Sequence, residues 1–261
     1  MRDLQGGEPV RHNATGPSRG EIDMHTLYGT RGSGSASIEI ALRACVLPYR
    51  VVRASSWEAD SAVDDLAKVN PLRQIPTLVL PDGTVLSESA AILIHLGLAH
   101  PASGLIPADA SERARALRGL VFVAANCYAA IGVIDYPERW TGDIPPKRPA
   151  AASPQGGTRP RGGPSGADPS DDETTKERVR AGARARLHAC WSMFADVFGR
   201  EPYLDGEAPG ALDCLAAVVS KWSGARAHLA AHRPALHATI ARIESHPVIA
   251  PVFAHHWPPK P

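Results

Sequence analysis

The feature that most constrains this fold is a proline placed just before a strand. Pro76 precedes the β-rich run 77–80, and a Pro-Asp-Gly turn joins that run to a second one at 84–86. An Asp-Gly tip between two such runs predicts a β-hairpin. Because proline cannot donate a hydrogen bond within a sheet, its place at a strand start needs a reason. The alternative is an ordinary trans proline, but we predict a cis Ile75–Pro76 bond, which would leave the N–H and C=O of Ile75 facing outward.

The segments around this hairpin predict an α/β layered domain over residues 24–102. Apolar spacing and β-propensity give the order β-α-β-α-β-β-α, in which a βαβ unit is followed by the hairpin and a covering helix. The predicted strands before the hairpin are 26–28 and 49–52, and the predicted helices are 35–46, 58–68 and 88–100.

The rest of the chain, residues 110–257, predicts an all-α helical bundle. The expected helices are 111–135, 175–198, 211–222, 225–231, 234–244 and 247–255. The stretch 141–175 contains 13 Pro or Gly residues and almost no apolar ones, so it is predicted to be a disordered insertion. Residues 1–23 are polar and Gly/Pro-rich. They are interpreted as a disordered leader, or as a start site assigned too far upstream.

Charge and cysteine spacing exclude several classes of partner. The net charge of +1 gives no electrostatic reason to expect nucleic acid or an acidic membrane surface. The longest apolar runs are too short to span a bilayer, so no membrane association is expected. The four cysteines lack CxxC or His-paired spacing. They predict buried free thiols, no metal and a cytoplasmic location.

A second motif follows the hairpin at Ser87-Glu88-Ser89, where the apolar helix begins. The free N–H groups of a helix start make a binding site for a carboxylate, with the Ser89 hydroxyl as a further donor. The alternative is that Ser87 only caps the helix.

Together, Gln74-Ile75-Pro76 and the later Ser87-Glu88-Ser89 resemble the soluble glutathione transferase family. The resemblance implies a thioredoxin-like first domain that binds glutathione, followed by the all-α domain. By that resemblance Ile75, beside Pro76, would hold the cysteinyl backbone of glutathione. Glu88 and Ser89 would hold its γ-glutamyl end, with Gln74 nearby.

The family also needs a donor that stabilises the glutathione thiolate, and this donor is a Tyr, Ser or Cys just after the first strand. The Cys of the bacterial beta class falls on Gly34, so it is missing here, and Arg31 replaces a common proline. The Ser of related classes falls on Ser33, with Ser35 as the second candidate. The alternative is that both serines serve only in a turn and a helix cap, where serine is common.

The function implied by the resemblance is a cytoplasmic, homodimeric glutathione transferase acting in detoxification. It would conjugate glutathione to a small apolar electrophile in a pocket between the domains. The candidate pocket residues are Phe122, Asn126, Tyr136 and Trp140.

Two alternatives stay open: a non-catalytic glutathione-binding or interaction protein, and a glutathione-dependent isomerase or dehalogenase. The Ser-Ser-Cys loop typical of maleylacetoacetate isomerases is absent. In the second domain Gly210 stands where the family carries a Ser/Thr cap, and Asp213 is predicted to be structural.

Overall fold

The computed structural model describes residues 24–141 and 169–259, with side chains described in the second range from residue 173 onward. The predicted leader and residues 142–168 lie outside the described residues. A four-stranded sheet has the order β2-β1-β3-β4. β1 pairs parallel with β2 and antiparallel with β3, and β3 pairs antiparallel with β4. The strands are β1 His25–Gly29, β2 Tyr49–Arg53, β3 Thr77–Val79 and β4 Val85–Ser87.

Three helices complete this thioredoxin-like domain and confirm the predicted order β-α-β-α-β-β-α. They are α1 Ser35–Ala44, α2 Val63–Val69 and α3 Ser89–Ala99. The inward side chains Leu27 and Leu78 are fully buried, and so are most apolar residues of α1 and α3. The alternation of side chains across the strands therefore places the core where the hydrophobic pattern predicted it.

The second helix is shorter than the prediction of 58–68, because side chains hold residues before Val63 in a loop. The Ser61 hydroxyl donates to the carbonyls of Ser55 (2.7 Å) and Glu58 (3.0 Å). The Thr30 hydroxyl donates to the Glu58 carboxylate at 2.9 Å. Serine hydroxyls that bond to nearby carbonyls compete with helical hydrogen bonds, and here they prevail.

The second domain is helical in its described parts, as predicted. One difference is that the predicted single helix 111–135 contains a wide π turn at Val123–Tyr128. Another is that a long helix begins at Pro169, so the last residues of the predicted insertion are helical. The helices are α4 Ala110–Phe122, α5 Ala129–Asp135, α6 Pro169–Phe198, α7 Ala211–Val219, α8 Ala225–His232, α9 Pro234–Ser245 and α10 Ala250–His256.

The continuous helical run Ala110–Asp135 has the length and hydropathy of a membrane span. Its buried side chains, Leu120, Val123 and Cys127, belong to the hydrophobic core, and the run packs against α6 and α7. A core helix of a globular domain meets the same length and hydropathy criteria, and these contacts identify the run as one.

The two domains share an apolar interface at α7. Helices α1 and α3 of the first domain both pack against it. The backbone N–H of Ala211 donates to the Leu105 carbonyl at 2.8 Å. Every residue of α7 is buried, so this helix joins the cores of the two domains.

The start of α7 is organised by two buried carboxylates. Asp213 accepts hydrogen bonds from the backbone N–H groups of Leu204 (2.7 Å), Gly210 (2.9 Å) and Asp205 (3.1 Å). The Asp205 carboxylate accepts from the N–H of Leu212 at 3.0 Å. A Cβ at position 210 would collide with this carboxylate. Asp205 thus supplies the cap that a Ser or Thr at position 210 would supply, and these bonds support the structural role predicted for Asp213.

Burial raises the pKa of both carboxyl groups. The pKa of Asp213 rises to about 6 and that of Asp205 to about 7. Asp213 has three N–H donors, which favour its ionised form, whereas one buried oxygen of Asp205 has no hydrogen-bond partner in the part of the chain that the structure describes. We therefore assign the proton that the pair holds near neutral pH to Asp205.

Candidate functional site

Three segments that carry the predicted site meet at one end of the sheet. The strand register pairs Tyr28 with Thr77 and Thr77 with Ser87. The residues just beyond those pairs are the loop after β1, Pro76 and Glu88. The fold therefore brings together the motifs that the sequence spreads over some sixty residues.

The Ile75–Pro76 peptide bond is cis, as the sequence suggested. Within residues 24–141 and 169–259, the backbone N–H and C=O of Ile75 take part in no hydrogen bond. Pro76 itself is buried and Ile75 is half-buried. A free donor and acceptor on one residue beside a sheet can pair with an extended peptide.

The loop before Pro76 is held by Asn70, a residue that was not predicted to belong to the site. Its side-chain amide donates to the Thr77 hydroxyl at 2.9 Å and to the Gln74 carbonyl at 3.2 Å. The Thr77 hydroxyl donates to the same carbonyl at 2.8 Å. Asn70 and Thr77 are both buried, so they fix the backbone on which Ile75 is presented.

The first turn of α3 lies beside this loop. Glu88 precedes the helix with φ 67° and ψ 111°, a backbone conformation that non-glycine residues rarely adopt. The Ser89 hydroxyl makes no hydrogen bond to any residue that the structure describes, and no side chain caps the helix. Glu88 and Gln74 are exposed. The alternative that Ser87 caps the helix is therefore wrong, and the first-turn N–H groups are free for an anion.

Ser33 and Ser35, the predicted thiolate donors, are both buried in the loop after β1. The Ser33 hydroxyl donates to the Thr30 carbonyl at 2.7 Å, and the two serine hydroxyls lie 2.9 Å apart. The Ser35 hydroxyl is 3.3 Å from the same carbonyl. Both hydroxyls thus make their hydrogen bonds within the loop itself. A catalytic role for Ser33 stays a prediction, and it would require the exchange of the Thr30 bond for one to a ligand.

The same loop is attached to the last helix, α10. The Gly32 N–H donates to Nδ1 of His256 at 3.1 Å, and His256 Nε2 lies 2.7 Å from the Glu39 carboxylate. These partners define a neutral imidazole that accepts at Nδ1 and donates at Nε2. The Arg31 guanidinium donates to the His255 carbonyl at 3.0 Å. Arg31, which replaces a common proline, thereby helps to fasten the loop to the helical domain.

A tyrosine from the helical domain occupies the space beside Gly34. A Cβ at position 34 would collide with the Tyr128 hydroxyl, and would lie 3.3 Å from its Cζ and 3.4 Å from Cδ of Pro76. Burial, together with the charges of Asp135 and Glu88, raises the pKa of Tyr128 to about 12. The Tyr128 hydroxyl therefore stays protonated at neutral pH.

Aromatic rings extend from this point into the helical domain. The Tyr128 ring stacks on Trp222 at 5.7 Å between centroids, and Trp222 contacts Trp257 edge-on at 6.5 Å. The indole nitrogen of Trp257 would lie 3.7 Å from a Cβ at position 32. These rings line the boundary between the loop after β1 and the second domain.

The four predicted pocket residues have other contacts. Phe122 packs against Phe194 and Phe198, at 6.1 and 5.7 Å, within the helical domain. The Asn126 amide donates to the Phe122 carbonyl at 3.1 Å, within its own helix. The Arg139 guanidinium lies 4.0 Å from the centre of the Tyr136 ring, and Trp140 is 66% exposed. A pocket role for these residues stays a prediction without a supporting contact.

Tyr128, Trp222 and Trp257 were not predicted as site residues. Tyr128 lies within the predicted helix 111–135, and a tyrosine at helical spacing is usually part of a core. The only signal was a glycine at position 34, where a side chain with a donor was expected.

The comparisons with known proteins agree with this architecture. Residues 35–98 match the family "Glutathione S-transferase, N-terminal domain". An uncharacterized GST-like protein of Escherichia coli (strain K12), YncG, is 37% identical over 123 residues, which is 47% of this chain and 60% of that protein. A probable maleylacetoacetate isomerase of Caenorhabditis elegans is 33% identical over 103 residues, or 40% of this chain and 46% of that protein. The chain thus spans about half the length of these curated relatives.

Solved structures match over more of the chain. A glutathione transferase homologue from Sulfitobacter, with bound glutathione, has a TM-score of 0.69 and 24% identity, and covers 88% of this chain and 97% of that one. A sphingomonad glutathione S-transferase complexed with glutathione has a TM-score of 0.64 and 22% identity, with coverages of 90% and 100%. At these identities the structures establish the fold, a thioredoxin-like domain followed by a helical one.

Proposed function

We propose that this protein is a glutathione transferase, because residues 35–98 match the glutathione S-transferase N-terminal domain family and a GST-like relative is 37% identical over 123 residues. The observation that carries the proposal is the free backbone of Ile75 beside the uncapped start of α3. An unpaired donor and acceptor next to a helix N-terminus suit a short peptide with a free carboxylate.

In the proposed complex the backbone of Ile75 pairs with the cysteinyl part of glutathione. The γ-glutamyl carboxylate lies on the Ser89 hydroxyl and the first N–H groups of α3, and its ammonium lies near the exposed Glu88 carboxylate. Gln74 is exposed on the loop that Asn70 fixes, where it can reach the tripeptide. This orientation directs the cysteine side chain toward Gly34 and the interdomain aromatic rings.

The reaction we propose is attack by the glutathione thiolate on an electrophilic carbon. The thiol first loses its proton to solvent, and the sulfur lone pair then forms a C–S bond. In a substitution the leaving group departs with the electrons of its bond, whereas in an addition those electrons move to the acceptor, which is then protonated. A free thiol has a pKa near about 8.5, so the site must favour the thiolate.

The aromatic boundary formed by Tyr128, Trp222 and Trp257 supports a small apolar electrophile. A homodimer, a cytoplasmic location and a role in detoxification are further parts of the proposal. Cys127, Cys190 and Cys214 are buried free thiols and Cys45 is a half-buried one, which is consistent with a reducing compartment.

The test of this function is Glu88→Gln, which keeps the shape of the side chain and removes its charge. We expect glutathione affinity to fall about 10- to 150-fold, since hydrogen bonds to charged groups contribute about 1.5–3 kcal/mol. Isothermal titration of glutathione measures this change. The control is Glu177→Gln, an exposed carboxylate on α6, which should leave the dissociation constant unchanged. Equal affinities for Glu88→Gln and the wild type would contradict the proposed γ-glutamyl site.

A glutathione-dependent isomerase is the second candidate, because the relatives at 33% and 25% identity include maleylacetoacetate isomerases. The run Gly32-Ser33-Gly34 lacks the Ser-Ser-Cys loop that is typical of those enzymes. Thiol consumption with a panel of electrophiles separates the candidates. A transferase consumes glutathione, an isomerase regenerates it, and a non-catalytic binding protein leaves both reactants unchanged.

A further inference from the structure

The end of the site that would receive the glutathione sulfur differs from the family pattern in one respect. In the loop after β1, the hydroxyls of Ser33 and Ser35 already bond within the loop, and position 34 has no side chain. Each hydroxyl has one proton to donate, and the Ser33 proton is directed to the Thr30 carbonyl. The loop therefore presents no free hydroxyl donor in the conformation described.

One free hydroxyl does reach this point, and it comes from the other domain. The Tyr128 hydroxyl fills the volume that a side chain at position 34 would occupy, close to Pro76. It makes no hydrogen bond to residues 24–141 or to the described part of the helical domain after residue 168. Tyr128 is half-buried, so a ligand can reach its hydroxyl, and a hydroxyl without a partner among the described residues is available to donate to one.

We propose that Tyr128 is a catalytic residue, and that its hydroxyl donates a hydrogen bond to the glutathione sulfur across the space left open by Gly34. This inference rests on the proposed glutathione transferase function and names a donor for it outside the thioredoxin-like domain. The only chemical change it involves is loss of the thiol proton to solvent, because Tyr128 keeps its own proton.

The position of the ring is fixed by packing. Tyr128 stacks on Trp222 with an angle of 27° between the ring planes. It is also the last residue of the π turn Val123–Tyr128. A π turn adds a residue to a helical turn and changes the direction of the side chains that follow. The turn and the stack together hold the hydroxyl toward the first domain.

The environment of Tyr128 also suits a donor. Because its pKa is raised to about 12, the hydroxyl remains neutral throughout the range in which a thiol ionises. After burial and the charge of Asp135, the charge of Glu88 also contributes to that rise. A neutral donor stabilises a thiolate more than a thiol, which lowers the pKa of the bound sulfur.

The experiment compares Tyr128→Phe with the wild type by two independent measurements. Thiolate absorbance of bound glutathione against pH gives the pKa of the bound thiol, and calorimetry above that pKa gives the dissociation constant. We expect the pKa of the bound thiol to rise by about one to two pH units in the variant. Thiol consumption at neutral pH should fall about 10- to 100-fold, partly offset by the greater nucleophilicity of a more basic thiolate.

Three further variants complete the test. Gly34→Ala should raise the pKa of the bound thiol in the same way, because its Cβ displaces the Tyr128 hydroxyl. Tyr203→Phe is the matched control in the same domain, where the ring contacts His246 away from the site, and it should change neither measurement. Ser33→Ala removes the alternative donor and should leave the pKa of the bound thiol unchanged.

The outcomes separate this inference from the function it rests on. If the wild type binds glutathione but Tyr128→Phe leaves the pKa of the bound thiol unchanged, this inference is wrong and the transferase proposal stands. A rise in that pKa for Ser33→Ala alone would assign the donor to the first domain. If the wild type does not bind glutathione, both proposals fail. Urea unfolding of Tyr128→Phe confirms that the variant is folded, and Gly34→Ala tests the same hydroxyl if it is not.

Discussion

Two helix starts in this protein use similar residues for opposite purposes. At α7, Asp213 and Asp205 accept backbone hydrogen bonds from four N–H groups, and both carboxyl groups are largely withdrawn from water. At α3, Glu88 is exposed and has a positive φ, and no side chain among the described residues caps the first turn. The acidic residues at α7 thus stabilise that helix by accepting hydrogen bonds from its N–H groups. Glu88 at the start of α3 leaves the N–H groups of that helix free.

The difference shows which polar groups are available for function. Backbone groups that a protein satisfies internally contribute to stability, and those that it leaves free near a rare backbone conformation are candidates for a ligand. The start of α7 lies between the domains, where a backbone N–H group without an acceptor would be buried and unpaired. The start of α3 faces the cis Ile75–Pro76 segment, where a peptide can supply the missing partners.

The largest effect that would sharpen this comparison is expected for Asp213→Ala. The substitution leaves the N–H groups of Leu204, Gly210 and Asp205 without their acceptor in a buried place. Since each unsatisfied buried group costs about 1–3 kcal/mol, we expect the free energy of unfolding to fall by about 3–5 kcal/mol. Urea unfolding measures it, and glutathione affinity of the folded fraction should stay unchanged.

The matched control is Asp109→Ala at the start of α4. Asp109 accepts from the N–H groups of Ser111 and Glu112, both at 2.9 Å, but it is exposed. Its loss should cost about 0.5–2 kcal/mol, as for an ordinary helix cap. Equal losses for the two variants would break the distinction between a buried and an exposed cap.

A smaller effect concerns pH and the proton held by Asp205. Its pKa is raised to about 7 in the folded protein, above about 3.9 in the unfolded chain, so folding takes up a proton between those values. Stability should therefore fall as pH rises through this window, by at most about 1.4 kcal/mol per pH unit for one proton. Asp205→Asn should make the free energy of unfolding depend less on pH, as measured by urea unfolding between pH 5 and pH 8. An unchanged pH dependence would assign the proton to another group.

The smallest effect is expected for Glu88→Gly, which removes the side chain and relieves its positive φ of 67°. Relief of backbone strain stabilises the folded protein, whereas the greater freedom of glycine in the unfolded chain destabilises it. We expect the free energy of unfolding to rise by at most about 1 kcal/mol, while glutathione affinity falls. The control Val46→Gly, at an exposed residue with φ 55°, should raise stability without changing affinity. A loss of stability for Glu88→Gly would show that Glu88 supports the fold.

Much of the first domain could be predicted from sequence because its signals are local. The Asp-Gly turn, the proline before a strand and the apolar spacing of α1 and α3 each act within a few residues, and the structure confirms the elements they predicted. The α2 boundary was wrong because Ser61 and Glu58 bond to neighbours that periodicity does not reveal. The π turn at Val123–Tyr128 gave no sequence signal either.

The site was only half predictable for a related reason. The proposed roles of Ile75, Glu88 and Ser89 depend on local backbone conformation, which a proline and a helix start predict from the sequence. The contacts of Tyr128 and His256 with the loop after β1 join residues about 94 and 224 positions apart, as in Gly34–Tyr128 and Gly32–His256. Such pairings depend on how the domains dock, and no local pattern encodes them.

The attachment of Gly32 to His256 has a consequence for biosynthesis. The strands of the sheet are translated early, yet the loop that follows the first of them is fastened by a helix at residues 250–256. A nascent chain that has completed its sheet still lacks this fastening until that helix leaves the ribosome. The order of translation therefore delays the attachment of this loop until the last helix has been synthesised.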